Sequence, residues 1–196
     1  MVIYKNKAIR LFDKNSYLRS GYITLLLAAI LPMQSVEATE EHYFCGPDNP
    51  EEARSIETII PALYKIVSGK AGSQKNWPLL KRLNSKNSTI TPVFHDENGK
   101  MQAEPKTVDE FIELNETIFR EQDFYEREIA RKTFVFGHMA TVMSQYESRK
   151  SPKSYPYAWG VNSFQLLNDG RRWCVISITW DSDNQNHRLK GLEKAE

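Results

Sequence analysis

The sequence has only two cysteines and four histidines, and neither sign of charge dominates. Two cysteines cannot staple a disulfide-built mini-protein. Neither stands in a Cys-x-x-Cys pair or near a histidine at ligand spacing, so a structural zinc site is excluded and no metal is expected. With 26 Lys and Arg against 25 Asp and Glu the formal net charge is +1, which lacks the basic footprint of a nucleic-acid binder. There is no glycine-rich phosphate loop, metal-ligand cluster or nucleophile elbow, and no cofactor is implied. What is there, 196 residues of which 40% are hydrophobic and 26% charged, suits one ordinary globular domain.

The N-terminus carries Lys5, Lys7, Arg10, Lys14 and Arg19 against Asp13, then an apolar stretch from Gly21 to Met33. This order is that of a secretory signal peptide. The stretch would rise about 20 Å as a helix against a hydrocarbon core of roughly 30 Å, so cleavage suits it better than a stable membrane span. Val36-Glu37-Ala38 places small residues where a signal peptidase needs them, with the cut before Thr39. The reading is therefore a signal peptide over 1–38 and a single domain over 39–196, periplasmic or secreted; an uncleaved anchor and a start codon placed too early are the other two readings. No Cys follows the apolar run directly, which disfavours a lipid anchor. Export gives Cys45 and Cys174 two readings: a disulfide closing a loop of roughly 130 residues, or two buried thiols.

Asn49 as N-cap with Pro50 at the first helical position predicts a helix, and Ile56, Ile59, Ile60, Leu63, Ile66 and Val67 recur at helical spacing up to Ser68-Gly69. Pro61 falls inside it and predicts a kink or restart. Asn76 caps a short second helix through Trp77 to Leu83. Ile90 to His95 reads as a strand or irregular hairpin leading into Asn98-Gly99. Thr107 and Glu110 form a capping box for a third helix to about Glu121. From Phe124 to Arg149 the period changes towards two, giving two strands broken near Phe136-Gly137-His138. A final pair of strands turns at Asp169-Gly170.

In the strand after Gly137, His138, Ala140, Val142, Ser144 and Tyr146 share the less charged face, which is expected to line an interior. With Asp169 and Gly170 as a two-residue loop, Leu166 stands opposite Trp173, Phe164 opposite Val175 and Asn162 opposite Ser177. Trp159, Val161, Leu167, Cys174, Ile176, Ile178 and Trp180 then fall on the other face. Both faces are apolar, so either a second subunit covers one of them or the register differs. The expectation is a homodimer.

The order of these elements, with Trp77 opening the second helix, Phe136-Gly137-His138-Met139-Ala140, Tyr146-Glu147-Ser148-Arg149, Gly160-Val161-Asn162-Ser163-Phe164-Gln165-Leu166 and Asp169-Gly170-Arg171-Arg172-Trp173, resembles the nuclear transport factor 2-like superfamily, and within it the SnoaL-like proteins. The resemblance covers about 50–182. It implies an α+β domain, cone-shaped, with helices packed across a strongly curved, mostly antiparallel sheet around a pocket, usually in a homodimer. It does not imply one activity, since such proteins include isomerases, cyclases, dehydratases and epoxide hydrolases as well as non-catalytic domains. Where several enzymatic members carry an Asp before the Trp of the second helix, this sequence has Asn76, which cannot accept a proton in turnover.

Such a cone places Tyr64, Trp77, Phe111, Phe164 and Trp173 on an apolar pocket, with Asn162 as a polar residue among them. His138 is then the candidate general base, because its ordinary pKa suits proton transfer near neutral pH, and Tyr146 the candidate oxyanion donor. Three readings follow: an exported domain binding a small hydrophobic ligand in an apolar pocket, an isomerase, dehydratase or cyclase-type enzyme without cofactor that uses His138, and a structural dimerisation module.

Overall fold

The computed structural model describes residues 43–182 and 193–194. The predicted signal segment and its cleavage site lie outside the described residues. After a 3₁₀ turn at Glu51–Ala53, helix α1 runs over Ile56–Val67. Asn49 and Pro50 do not start it. Ser55 does, because it forms a capping box immediately before Ile56: its Oγ accepts from the Thr58 amide at 3.2 Å and its amide donates to Thr58 Oγ1 at 3.2 Å. The helix continues through Pro61 and buries Ile59, Ile60, Leu63 and Ile66.

Helix α2, Trp77–Leu83, has Asn76 as the expected cap, its side chain accepting from the Leu79 amide at 3.1 Å. It runs directly into strand β1, Asn84–His95, which therefore begins six residues earlier than Ile90. The polar run from Asn84 to Thr89 hides this start. Asn84 pairs with Val175 of β6, Trp173–Ser182, and after an irregularity the parallel pairing resumes from Thr89 opposite Ser177 to Pro92 opposite Trp180. A turn around Asp96 to Gly99 returns the chain as β2, Met101–Ala103. Helix α3, Val108–Glu121, carries the predicted Thr107–Glu110 capping box.

Strands β3 (Tyr125–Phe136), β4 (Met139–Arg149) and β5 (Ala158–Asn168) then build an antiparallel meander into β6, and β7 (Glu193–Lys194) pairs with β3. The sheet order is β2-β1-β6-β5-β4-β3-β7. Among the described residues only the β1–β6 pairing is parallel. The helices lie across this curved, unclosed sheet in the α+β, cone-like arrangement that the resemblance implied.

On β4 the expected inner face is formed from Ala140 onward: Ala140, Val142, Ser144 and Tyr146 are all buried, whereas His138, expected with them, is exposed in the preceding turn. The β5–β6 register differs from expectation. Asn168 pairs with Trp173, leaving a four-residue loop, 169–172, and Leu166 stands opposite Val175, Phe164 opposite Ile178 and Asn162 opposite Trp180. Two features cause this. The Asp169 carboxylate accepts from the amides of Arg171 at 3.1 Å and Arg172 at 3.2 Å, an Asx-type turn that widens the loop. Ile176 then forms a bulge, since consecutive residues Leu166 and Gln165 face Val175 and Ser177. Ile178 and Trp180 consequently point inwards with Phe164 and Asn162.

Cys45 and Cys174 are joined in a disulfide, with Cα atoms 5.6 Å apart. The bridge fixes the lead segment to β6, and its surroundings hold it further. The Cys45 amide donates to Asp169 Oδ2 at 3.2 Å, the fully buried Arg172 donates to the Cys45 carbonyl, and the Arg171 guanidinium stacks over Tyr43.

Candidate functional site

Between α1, α3 and the concave face of β3 to β6 lies a cavity of about 330 Å³. Its size is at the lower end of the range of small-molecule sites. Helix α1 contributes Leu63, Tyr64 and Val67; α3 contributes Phe111, Asn115, Ile118 and Phe119. The sheet supplies Phe164 and Asn162 from β5 and Ile178 and Trp180 from β6. Most of the wall is hydrocarbon or aromatic edge, and Phe111 meets Trp180 edge-on at 6.4 Å between ring centroids.

One end of the cavity is polar. Glu126 of β3, Tyr146 and Ser148 of β4, Tyr157 and Asn162 converge there. Strand alternation explains the convergence: Glu126 pairs with Ser148 and Glu128 with Tyr146, so all four stand on the inner face of neighbouring strands. Burial pushes the Glu126 carboxyl up to about 7, against weaker opposing hydrogen bonds from Ser148 and Asn162. Ser148 Oγ reaches Glu126 Oε2 at 3.1 Å. The phenols of Tyr146 and Tyr157 are also raised, chiefly by burial and further by the nearby Glu126. These groups are thus arranged so that Glu126 carries a proton at mildly acidic pH and exchanges it near neutrality.

A second polar chain lies beneath Tyr64. Asn162 Nδ2 donates to the Tyr64 hydroxyl at 2.9 Å, the Tyr64 hydroxyl is 2.6 Å from Ser144 Oγ, and Ser144 Oγ donates to Glu128 Oε1 at 2.6 Å. Glu128 in turn takes two hydrogen bonds from Arg131 at 2.6 and 3.0 Å. Since Ser144 has one proton and gives it to the carboxylate, Tyr64 is the donor to Ser144. The chain has one direction, Asn162 to Tyr64 to Ser144 to Glu128. Burial raises the Tyr64 phenol far above its ordinary value, so it stays protonated.

Of the six residues predicted for the pocket, Tyr64, Phe111, Asn162 and Phe164 line the cavity. Trp77 and Trp173 do not: both pack against the core, Trp77 lying 5.8 Å from Phe119. His138 and Tyr146 are not brought together. Tyr146 reaches the cavity, whereas His138 is exposed in the β3–β4 turn with Nδ1 3.1 Å from the Asn168 carbonyl. The turn ends the inner face one residue too soon for His138 to share it. Sequence reasoning missed Glu126. The alternation of Glu126 and Glu128 with Tyr125 and Arg127 marks a strand but does not say which face is buried, and a strand carboxylate ordinarily faces water. Among the described residues no group of three His, Cys, Asp or Glu is placed to hold a metal ion.

No family model matches the chain, and no curated protein matches it. Solved structures do. An NTF2-like protein of unknown function from Shewanella baltica aligns over 65% of this chain and 92% of its own at 15% identity and a TM-score of 0.40. A protein with a cystatin-like fold from Nostoc punctiforme aligns over 68% and 96% at 8% identity and a TM-score of 0.46. The yeast UBP3-associated protein BRE5 aligns over 67% and 98% at 13% identity and a TM-score of 0.47. These are likenesses of fold.

Proposed function

We propose that the chain is an exported domain that binds one small, largely apolar molecule in the cavity between its helices and sheet. The observation that carries this reading is the convergence of apolar walls on a single polar end built around Glu126. A site of that form holds a hydrocarbon body by burial and orients it by one or two hydrogen bonds. The disulfide supports export, because such a bond persists in an oxidising compartment. A second copy on the outer sheet face is part of the same reading, supported by the half-buried Met143, Trp159, Val161 and Leu167 there. Native mass spectrometry of the protein purified from its own host at near-neutral pH tests it: a retained apolar compound on a dimer is expected. A ligand-free monomer that also takes up no apolar compound from a screen contradicts it.

A second reading is favoured by one specific observation, the Glu126 carboxyl poised at about 7. A group that exchanges its proton near neutrality inside an apolar cavity is suited to general acid–base catalysis. In this reading Glu126 replaces His138 as the base. Tyr146 is the donor that faces a developing oxyanion. The test is incorporation of deuterium into the α-positions of simple ketones such as cyclohexanone in deuterated buffer. Enhanced exchange that is lost in Glu126→Gln supports catalysis; exchange equal to buffer leaves binding alone.

A further inference from the structure

The polar end of the cavity carries a carboxyl group and no cation. On the inner face of the sheet Glu126 of β3 stands beside Ser148 of β4 and Ala158 of β5, and the next row holds Glu128, Tyr146 and Gly160. Among the residues that line the cavity Glu126 is the only Asp or Glu, and none is a Lys, Arg or His. A carboxylate taken out of water is ordinarily paired, because its charge is costly to bury alone.

The described cations on neighbouring elements are engaged elsewhere or stand off the cavity. Arg131 gives two hydrogen bonds to Glu128, at 2.6 and 3.0 Å. Arg127 and Arg149 pair with Glu147 on the opposite face of the sheet. Lys65 of α1 and Arg120 of α3 are exposed and do not line the cavity, and Lys75 sits over the Phe119 ring, 5.1 Å from its centre, outside the lining. What favours the Glu126 charge is one hydroxyl and one amide, from Ser148 and Asn162, against the larger cost of burial. The phenols nearby respond to the same negative field. Glu126 and Glu128 both act on Tyr64, Glu126 and Asp181 on Tyr146, and Glu126 on Tyr157, and each of these carboxylates raises the phenol it acts on.

We propose that the opposing charge comes from the ligand: the cavity takes a lipophilic amine, a hydrocarbon body ending in an ammonium that pairs with the Glu126 carboxylate. This rests on the reading of the cavity as a binding site and adds the chemistry of the ligand's polar group. The carboxylate is already desolvated in the free protein, so on binding only the ammonium gives up its water. An ammonium also has several N–H donors, and beyond Glu126 the hydroxyl oxygens of Tyr146 and Tyr157 are acceptors at the same end. The two tyrosine rings add the negative π density that attracts a cation. A neutral alcohol on the same tail can donate one hydrogen bond to Glu126 and brings no charge. A carboxylate on that tail sets like charge against Glu126.

The experiment compares decylamine, 1-decanol and decanoic acid, which share one tail, by isothermal titration calorimetry at pH 7, where the amine and the acid are both ionised. The expected result is that decylamine binds at least tenfold more tightly than decanol, with decanoate the weakest of the three. Glu126→Gln, which keeps the shape of the side chain, is expected to erase the preference for the amine. A second readout needs no variant: the carbon-13 resonance of the Glu126 carboxyl at pH 6 should move to its ionised position with saturating decylamine and not with decanol. Decanol or decanoate bound as tightly as the amine overturns the inference and leaves the cavity reading standing. A preference that survives Glu126→Gln, or a carboxyl resonance that saturating amine leaves unmoved, also overturns it, since the ammonium would then be held elsewhere. Failure of all three compounds to bind the wild-type protein removes the cavity reading and the inference with it.

Discussion

Ser148 Oγ donates to Glu126 Oε2 at 3.1 Å across the β3–β4 pair, yet the carboxyl it stabilises still titrates at about 7. Desolvation therefore exceeds what one hydroxyl and one amide return. The folded chain holds this proton more tightly than the unfolded chain, where the group titrates near 4.5. Its contribution to stability is complete below about pH 4.5 and is lost as pH rises to about 7, on the order of 3 kcal/mol in all. Glu126→Gln cannot ionise and should remove this slope. Urea unfolding at pH 5 and pH 8 measures it: the wild type is expected to lose more stability than the variant between the two. Equal losses would mean that Glu126 titrates as an ordinary surface carboxylate.

The ring of Tyr146 lies against the backbone of Gly160 on the neighbouring strand. A methyl group at Gly160 would collide with the Tyr146 phenol on one side and with the Asp181 carbonyl on the other. Gly160→Ala is expected to destabilise the protein by about 2 kcal/mol or more, as overpacking a rigid site does. Truncating Tyr146 as well should not rescue it, because the Asp181 carbonyl cannot move without breaking the β5–β6 ladder. Thermal unfolding of the single and double variants decides this.

Cys45 and Cys174 close a loop spanning 129 positions. Loop-closure entropy puts the contribution of such a bridge at about 4–5 kcal/mol. The double variant Cys45→Ala/Cys174→Ala, or the reduced wild type, should lose most of that in urea unfolding. A loss under about 1 kcal/mol would mean that Arg172, Asp169 and Tyr43 hold the lead segment without the bridge.

Removing the hydroxyl of Tyr64 takes the middle link from the chain between Asn162 and Ser144. Tyr64→Phe keeps the ring against Phe164 but leaves the Asn162 amide one acceptor short. A cost of about 1–2 kcal/mol is expected. Ser144→Ala, tested alongside by urea unfolding, should cost a similar amount, since it leaves Tyr64 and Glu128 each one partner short.

Where sequence carried local chemistry, it was readable. The Thr107–Glu110 capping box, the Asn76 cap and the inner face of β4 all follow from neighbouring residues, and the structure forms each of them. What it hid was set by partners far along the chain. The early start of β1 is anchored by Asn84 opposite Val175 and Thr89 opposite Ser177 of β6, and the β5–β6 register depends on a bulge at Ile176 that no turn signal announces. The site shows the same division. Tyr64, Phe111, Asn162 and Phe164 were legible as inward-facing residues. Glu126 was not, because a carboxylate in a strand ordinarily faces water, and its burial comes from α1 packing over the end of β3.

The central claim is that the cavity is a binding site with its polar end at Glu126. The most direct test is a nuclear magnetic resonance titration with 1-decanol, followed on the Asn162 side-chain amide, the Glu126 backbone amide and the aromatic protons of Phe111 and Phe164. The account predicts saturable shifts at these four residues with one stoichiometric site. Shifts confined to the exposed Phe134, Phe136 and Met139 at the β3–β4 hairpin end, with none in the cavity, would contradict it.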